Sequence, residues 1–264
     1  MSNHTSLEKR WAGFVLDLMQ REPEAYVQIR KIFRDISWSV PFDEWDGISL
    51  KTENMGYAEG DNKMRQLLRN YHNADELTRA AESLSERIAS GKQQSSITAR
   101  FGNGAKDSRS QGFCMQTLTL SHILNPLDKG NGFVIELYYR STEVGQKFLA
   151  DLMYLDQVVL PLLMSLLPVR PREIRFKFST LYLSSMFMPI VLQILPVVDA
   201  LKLTKENDPK WFSRCLRVAV EKWMVEECGY GYRTRAKMHH TFRSYVVPRM
   251  SAAQQRTVKT MVKK

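Results

Sequence analysis

The stretch Val144–Leu167 constrains the fold more than any other. It is long and apolar, and Phe148, Leu152, Leu155, Val159 and Leu162 recur at three- and four-residue steps. That spacing is the signature of an apolar helical face. The stretch follows closely on "FVIELYY" (133–139), a run with strand composition. A strand that feeds a buried helix predicts a sheet with that helix packed on it. Arg140, Ser141, Glu143 and Asp151 punctuate the junction. An acid inside so apolar a helix needs a partner, because burying an unsatisfied carboxyl group is costly.

The elements around this pair set the fold class. Residues 6–37 predict helix: Trp11, Phe14, Val15, Leu18 and Met19 share one periodicity, and Tyr26, Ile29, Ile32 and Phe33 continue it after Pro23. "WSVPFDEWDG" reads as a turn-rich connection. A helix or helix pair is expected over 63–90, with Asp75 as a cap and Gly91 as a stop. Strand composition returns at 95–104 and 112–124, and the turn cluster 125–132 joins the latter to 133–139 as an antiparallel hairpin. A further strand is expected at 173–186, and mostly helix from Pro189 onward. The expected class is α/β (α+β): a mixed sheet with a buried central helix and helical N- and C-terminal parts. No repeat or low-complexity linker divides the chain, so one domain over 1–264 is expected.

Composition narrows the function classes. Three cysteines without short spacing, Cys114, Cys215 and Cys228, argue against a disulfide framework and a zinc cluster. Each fits a small buried side chain or a nucleophile. The N-terminal run reads as an amphipathic helix rather than a signal peptide, and a cytosolic protein is expected. The formal net charge of +10 favours phosphate-bearing partners, nucleotides or nucleic acid. Residues 233–264 are rich in Lys and Arg and carry no acid. They fit a solvated basic tail or a surface for nucleic acid or a partner protein. "GYGYRTRAKMHHTFRSY" (229–245) interleaves rings with cations, which suits base stacking beside phosphate contact. His239 and His240 lack metal-ligand spacing and fit a surface or nucleic-acid contact.

"LYYRSTEVGQKFLADLMYL" (137–155) resembles the signature of the thymidylate synthase family. There a strand ends in an Arg-Ser pair, an acid follows two residues after the serine, and a buried helix carries the residue that reads the base. The resemblance implies that Arg140 and Ser141 hold the phosphate of a pyrimidine nucleoside monophosphate. Their chemistry suits it: a guanidinium is a planar fork for phosphate oxygens, and a hydroxyl adds a donor. The family's nucleophilic cysteine lies on the preceding strand, where this chain has Cys114. A thiolate is required there to add to C6 of the pyrimidine and later to leave.

Eleven residues after the arginine the family places an asparagine that reads uracil, and this chain has Asp151. The phage deoxycytidylate hydroxymethylases, which resemble thymidylate synthase, use aspartate there. A carboxyl group accepts from the cytosine amine and, when protonated, donates to N3. "FDEWDGISLKTENMG" (42–56) is similar to the family's Trp-rich loop, with Asp43, Glu44 and Trp45 in place and Trp45 beside the pterin. "STLYLSSM" (179–186) lies where the family holds the ribose, with Tyr182 and Ser184 at the matching positions. The resemblance further implies 5,10-methylenetetrahydrofolate as donor and a homodimer with sheets back to back. The family's cross-dimer Arg-Arg pair is absent from "KQQSSITAR", which offers Lys92 and Arg100, and Asp17 and Glu24 are the candidates for its catalytic glutamate. Two functions stay open: a cytidylate (dCMP-type) hydroxymethylase or methylase, and a non-catalytic module of that fold that binds nucleic acid or protein.

Overall fold

The structure is a computed structural model that describes residues 4–27, 30–50, 74–92, 94–101, 114–123, 132–145 and 147–184, together with 252 and 256. The described chain forms a six-stranded sheet with helices against it. Its elements are α1 (Ser6–Gln20), β1 (Ala25–Val27), β2 (Arg30–Pro41), α2 (Ala74–Ala89), β3 (Gln94–Arg100), β4 (Met115–Ile123), β5 (Gly132–Glu143), α3 (Lys147–Tyr154), α4 (Leu160–Leu166) and β6 (Arg170–Ser184). The strand order is β1-β2-β6-β5-β4-β3. All neighbours pair antiparallel except β5 and β6, which are parallel. A parallel pair needs a crossover, and α3–α4 supplies it.

The helix ends follow local chemistry. Thr5 and Glu8 make a reciprocal capping box at the start of α1. Gly91, at φ +73°, ends α2: its N–H donates to Ile88 C=O and the Lys92 N–H to Arg87 C=O. That is the paired closure a left-handed glycine permits. Between α3 and α4 the chain widens into a π-helical turn, Leu155–Val159, where the Leu160 N–H reaches back to Leu155 C=O. Pro161 follows at once; it has no N–H, and its ring crowds the carbonyl four residues earlier. The π turn sits where that misfit must be absorbed.

The expectation of helix over 6–37 fails after Gln20. Pro23 interrupts the chain, and 30–41 is a strand paired with β6 from Arg30↔Ser184 to Pro41↔Glu173. Its branched and aromatic residues fit either period, and the partner strand, far away in sequence, decides. Asp75 lies inside the first turn of α2 rather than capping it. The expected antiparallel pairing of the two strands on either side of 125–132 is confirmed by the β4–β5 register, while 124–131 lie outside the described residues. The expected helices beyond Pro189, and most of the basic 233–264 segment, lie outside the described residues.

The two faces of the sheet differ completely. The inner rows are apolar across the strands: Phe176–Leu137–Leu118–Ala99 is one, and Phe178–Tyr139–Met115 the next. The helix Lys147–Leu166 covers them. It is long and apolar enough to cross a membrane, yet Phe148, Leu152, Leu155, Val159 and Leu163 are buried within the fold. Phe148 sits edge-on to Tyr139, Phe176 and Phe178, with ring centroids 5.8, 5.1 and 5.0 Å away. Phe14 of α1 stacks on Trp38 at 5.2 Å and so joins the same cluster. The outer rows are polar: Ser96 and Ser121 bond hydroxyl to hydroxyl, as do Thr98 and Thr119.

One inner row ends in polar groups. His122 and Ser95 are paired across β4 and β3 beside Phe133, all buried. Among the described residues, neither ring nitrogen of His122 nor the Ser95 hydroxyl has a hydrogen-bond partner. Desolvation therefore pushes the His122 pKa down. At the other extreme, burial pushes the Tyr154 phenol up to about 12.

Phe148→Ala is expected to cost about 3–5 kcal/mol in urea unfolding, because it empties the centre of the aromatic cluster. The pH profile should fall on both sides. His122 prefers its neutral form in the fold, so stability is lost as pH drops below about 6.5, its ordinary value. Tyr154 also prefers its neutral form, so stability is lost above about pH 10. Melting curves of His122→Leu should lose the decline just below pH 6.5 and keep the alkaline one.

Candidate functional site at a break in the sheet

Ladder pairing lapses along one transverse row. Asp35 and Ser179 lie opposite each other between paired neighbours on β2 and β6, and Arg140 and Ser179 do the same on β5 and β6. Asp35 has φ +50°, the positive-φ non-glycine residue among the described residues. On the far side of Arg140 the row reaches Cys114, whose carbonyl accepts from the Arg140 N–H at 3.0 Å. The β4 register then shifts between Met115 and Thr117, a bulge one step along the strand. Four strands are thus irregular at one level.

The break changes which residues are buried. On β6 the buried series runs Ile174, Phe176, Phe178 and then Leu181, Leu183. On β5 it runs Ile135, Leu137, Tyr139 and then Thr142. The side chains that meet α1 change parity too. Phe14 stacks on Trp38 and Phe178, whereas beyond the break Lys31 Nζ donates to the Met19 carbonyl at the end of the helix. Simple alternation therefore does not set side-chain direction at this row, which holds Cys114 and Arg140 with Ser141 one step on.

Cys114 is half-buried and packs against the core, while Arg140 is exposed and Ser141 half-buried. Glu143 is buried: its Oε1 accepts from the Gly145 N–H at 3.0 Å and the Ser184 N–H at 3.3 Å. Tyr182, half-buried, faces Glu143 across the parallel pair, and its carbonyl accepts from the Val144 N–H at 2.9 Å. Ser184 is buried one step further. Asp151 is 2 % exposed on α3. It follows Phe148 by three residues on a helix buried from Phe148 to Tyr154. The structure thus joins Cys114 to Arg140 directly and holds Tyr182 and Ser184 to Glu143. Asp151 stands in the helix layer over the same sheet, while the Arg140 guanidinium is exposed.

The 42–50 segment is fixed by carboxylates. Trp45, half-buried, donates its indole N–H to Asp156 Oδ1 at 3.0 Å, from the π turn. Gly47 has φ +85°, and a Cβ there would stand 3.1 Å from Asp156 Oδ2. Glu8 is fully buried and accepts from the amides of Thr5, Ser49 and Leu50 and from the Ser49 hydroxyl. Asp46 returns the favour to α1: burial pushes its carboxyl up, but the Leu7 and Ser6 amides outweigh that and hold it below its ordinary value. Glu44 pairs with Arg10, and Asp43 is exposed.

Asp17 and Glu24 are surface acids, paired with Arg21 and Arg34. The buried acid of this region is Glu8, and the Thr5-x-x-Glu8 spacing of a capping box was its signal in the sequence. Ser179 and Asp35 were not legible as members of the break row, because only the strand registers place them there. Lys92 and Arg100 are exposed at the two ends of β3. Cys215, Cys228, His239 and His240 lie outside the described residues.

No protein-family model and no curated protein sequence matches the chain. Among solved structures it is similar to the thymidylate synthase of T4 phage, with 10 % identity and a TM-score of 0.44, over 67 % of this chain and 76 % of that one.

Glu8→Ala should destabilise the protein by about 3 kcal/mol or more, since hydrogen bonds to a charged group contribute about 1.5–3 kcal/mol each. Urea unfolding measures the loss. Trp45 should become accessible to a fluorescence quencher in native buffer.

Proposed function

We propose that the chain is a pyrimidine-nucleotide C5 one-carbon transferase, of the dCMP hydroxymethylase kind. The observation that supports it most is the Arg140 N–H to Cys114 carbonyl bond at 3.0 Å, which puts a thiol and an exposed guanidinium on adjacent strands at a sheet break. Arg140 and Ser141 bind the nucleotide phosphate, and the cation beside Cys114 favours its thiolate. The thiolate adds to C6 and places the electron pair at C5. With the donor bound, C5 would take its one-carbon unit and lose its proton, and the donor nitrogen would leave that carbon with the C–N electron pair to give an exocyclic methylene. Addition of water to the resulting exocyclic methylene, with departure of the Cys114 sulfur from C6, gives the hydroxymethyl product and restores the thiolate.

Asp151 reads the base from the helix layer, accepting from the cytosine amine and, when protonated, donating to N3. Tyr182 and Ser184 take the sugar side. Methylenetetrahydrofolate supplies the one-carbon unit at the formaldehyde oxidation level. Trp45, with its ring anchored at the N–H by Asp156, suits the flat pterin face.

Purified protein given methylenetetrahydrofolate should release tritium from C5-labelled dCMP. Cys114→Ser should fall to background, and Asp151→Asn should shift preference toward dUMP. Arg140→Ala should raise KM by about tenfold to a hundredfold, the value of one charge-assisted contact. If dCMP, dUMP and their ribo forms all fail to release tritium, or if Cys114→Ser turns over normally, the proposal is wrong.

A further inference from the structure

We propose that α2 and β3 form an acid-released unit: protonation of the buried His122 frees them from the sheet while the aromatic core stays closed. His122 is fully buried, and Ser95, its cross-strand partner, is 5 % exposed. They stand side by side on β4 and β3, with Phe133 of β5 next in the row. Among the described residues, neither the two ring nitrogens nor the Ser95 hydroxyl has a hydrogen-bond partner. A neutral imidazole is tolerated in such a row. An imidazolium there is a buried charge without a counter-ion, which is far more costly. Once β3 and α2 depart, water reaches the ring and solvates that charge.

Among the described residues, no carboxylate is placed to neutralise the ring. β4 itself carries no acid, β3 offers Ser95, and β5 offers Phe133 with Gly132 before it. α2 buries Leu77, Ala80, Ala81 and Leu84. Its Arg79, Glu82 and Glu86 are exposed, and Arg87 is half-buried in the last turn. Its Glu76 accepts from the Arg100 N–H, at the other end of β3. α4, which packs against α2, carries no charge. Arg170 and Arg172, at the level of Gly132, are exposed cations. Burial accordingly holds the His122 pKa below its ordinary value, with no neighbouring charge adding to the shift.

The unit can separate because it is held weakly. β3 is an edge strand of the described sheet, paired with β4 on one side. On its outer face the bonds to β4 are the exposed Ser96–Ser121 and Thr98–Thr119 hydroxyl pairs. Over its inner face lies α2, whose buried set includes two alanines, and these bury little apolar area. The rings stacked around Phe148 come from α1, β2, β5 and β6. An edge element with few large apolar contacts is the kind that opens locally.

The test is hydrogen exchange of the full chain, read by mass spectrometry from about pH 7.5 to about pH 5, the range of imidazole titration. Rates are corrected for the intrinsic pH dependence of amide exchange. Opening takes up one proton, so exchange over 74–89 and 94–100 should rise about tenfold per pH unit below about 6.5. Residues 132–143 and 170–184 should keep their protection. His122→Leu should abolish the rise, whereas Ser95→Ala leaves the imidazole in place and should retain it. Ser95→Asp supplies a counter-ion and should flatten the rise, which keeps the test decisive if His122→Leu does not fold. Thermal melts at neutral pH establish that each variant is folded. The proposal is overturned if 74–89 and 94–100 do not respond to acid, or if every strand loses protection together. It is also overturned if His122→Leu or Ser95→Asp responds like the parent. None of these outcomes depends on turnover at Cys114.

Discussion

Phe148 is the contact on which the described structure depends. It stands edge-on to Tyr139, Phe176 and Phe178, one ring meeting β5 and β6 at once. These two strands are the parallel pair, and parallel pairing holds only where a crossover covers it. The aromatic cluster thus binds the crossover helix to the two strands that it connects. Trp38 and Phe14 extend the same cluster to β2 and α1. The remaining layers are arranged around it.

The cluster has a consequence for chemistry. It ends at Phe178 and Tyr139, and the next residue of each strand, Ser179 and Arg140, falls in the unpaired row. A close-packed ring cluster resists deformation, so the irregularity of the sheet accumulates beyond it. Backbone at such a break is freed from simple alternation and can present Arg140, Ser141 and Cys114 close together. Strained positions such as Asp35 tend to gather at sites of function. The two buried carboxylates differ in purpose. Glu8 is saturated with amide and hydroxyl donors and holds the 42–50 segment, whereas Asp151 is buried in the crossover helix.

Much of this was legible in the chain itself. The spacing of Phe148, Leu152, Leu155 and Val159 marked the buried helix, and "FVIELYY" marked its feeding strand. The hairpin across 125–132 followed from turn chemistry. Residues 25–41 misled because branched and aromatic residues at those spacings satisfy a helical period and a strand period alike. The Arg140-Ser141 pair and Cys114 could be singled out by residue type, but not their shared row. The 26 residues between Cys114 and Arg140 contain a turn whose length does not fix register. The polar outer face became visible only once strand registers aligned Thr98 with Thr119 and Tyr138 with Lys177.

The sequence by itself determined which segments are apolar enough to be buried, where glycine and proline stop them, and which residues can carry acid, base or nucleophile chemistry. These are properties of short stretches, fixed by side-chain volume, polarity and backbone freedom. Only the tertiary structure decided that β2 is a strand, that Arg140 sits beside Cys114, and which face of the sheet is polar. Those facts arise from pairings between residues far apart in sequence, and such pairings are settled by the packing of the whole chain.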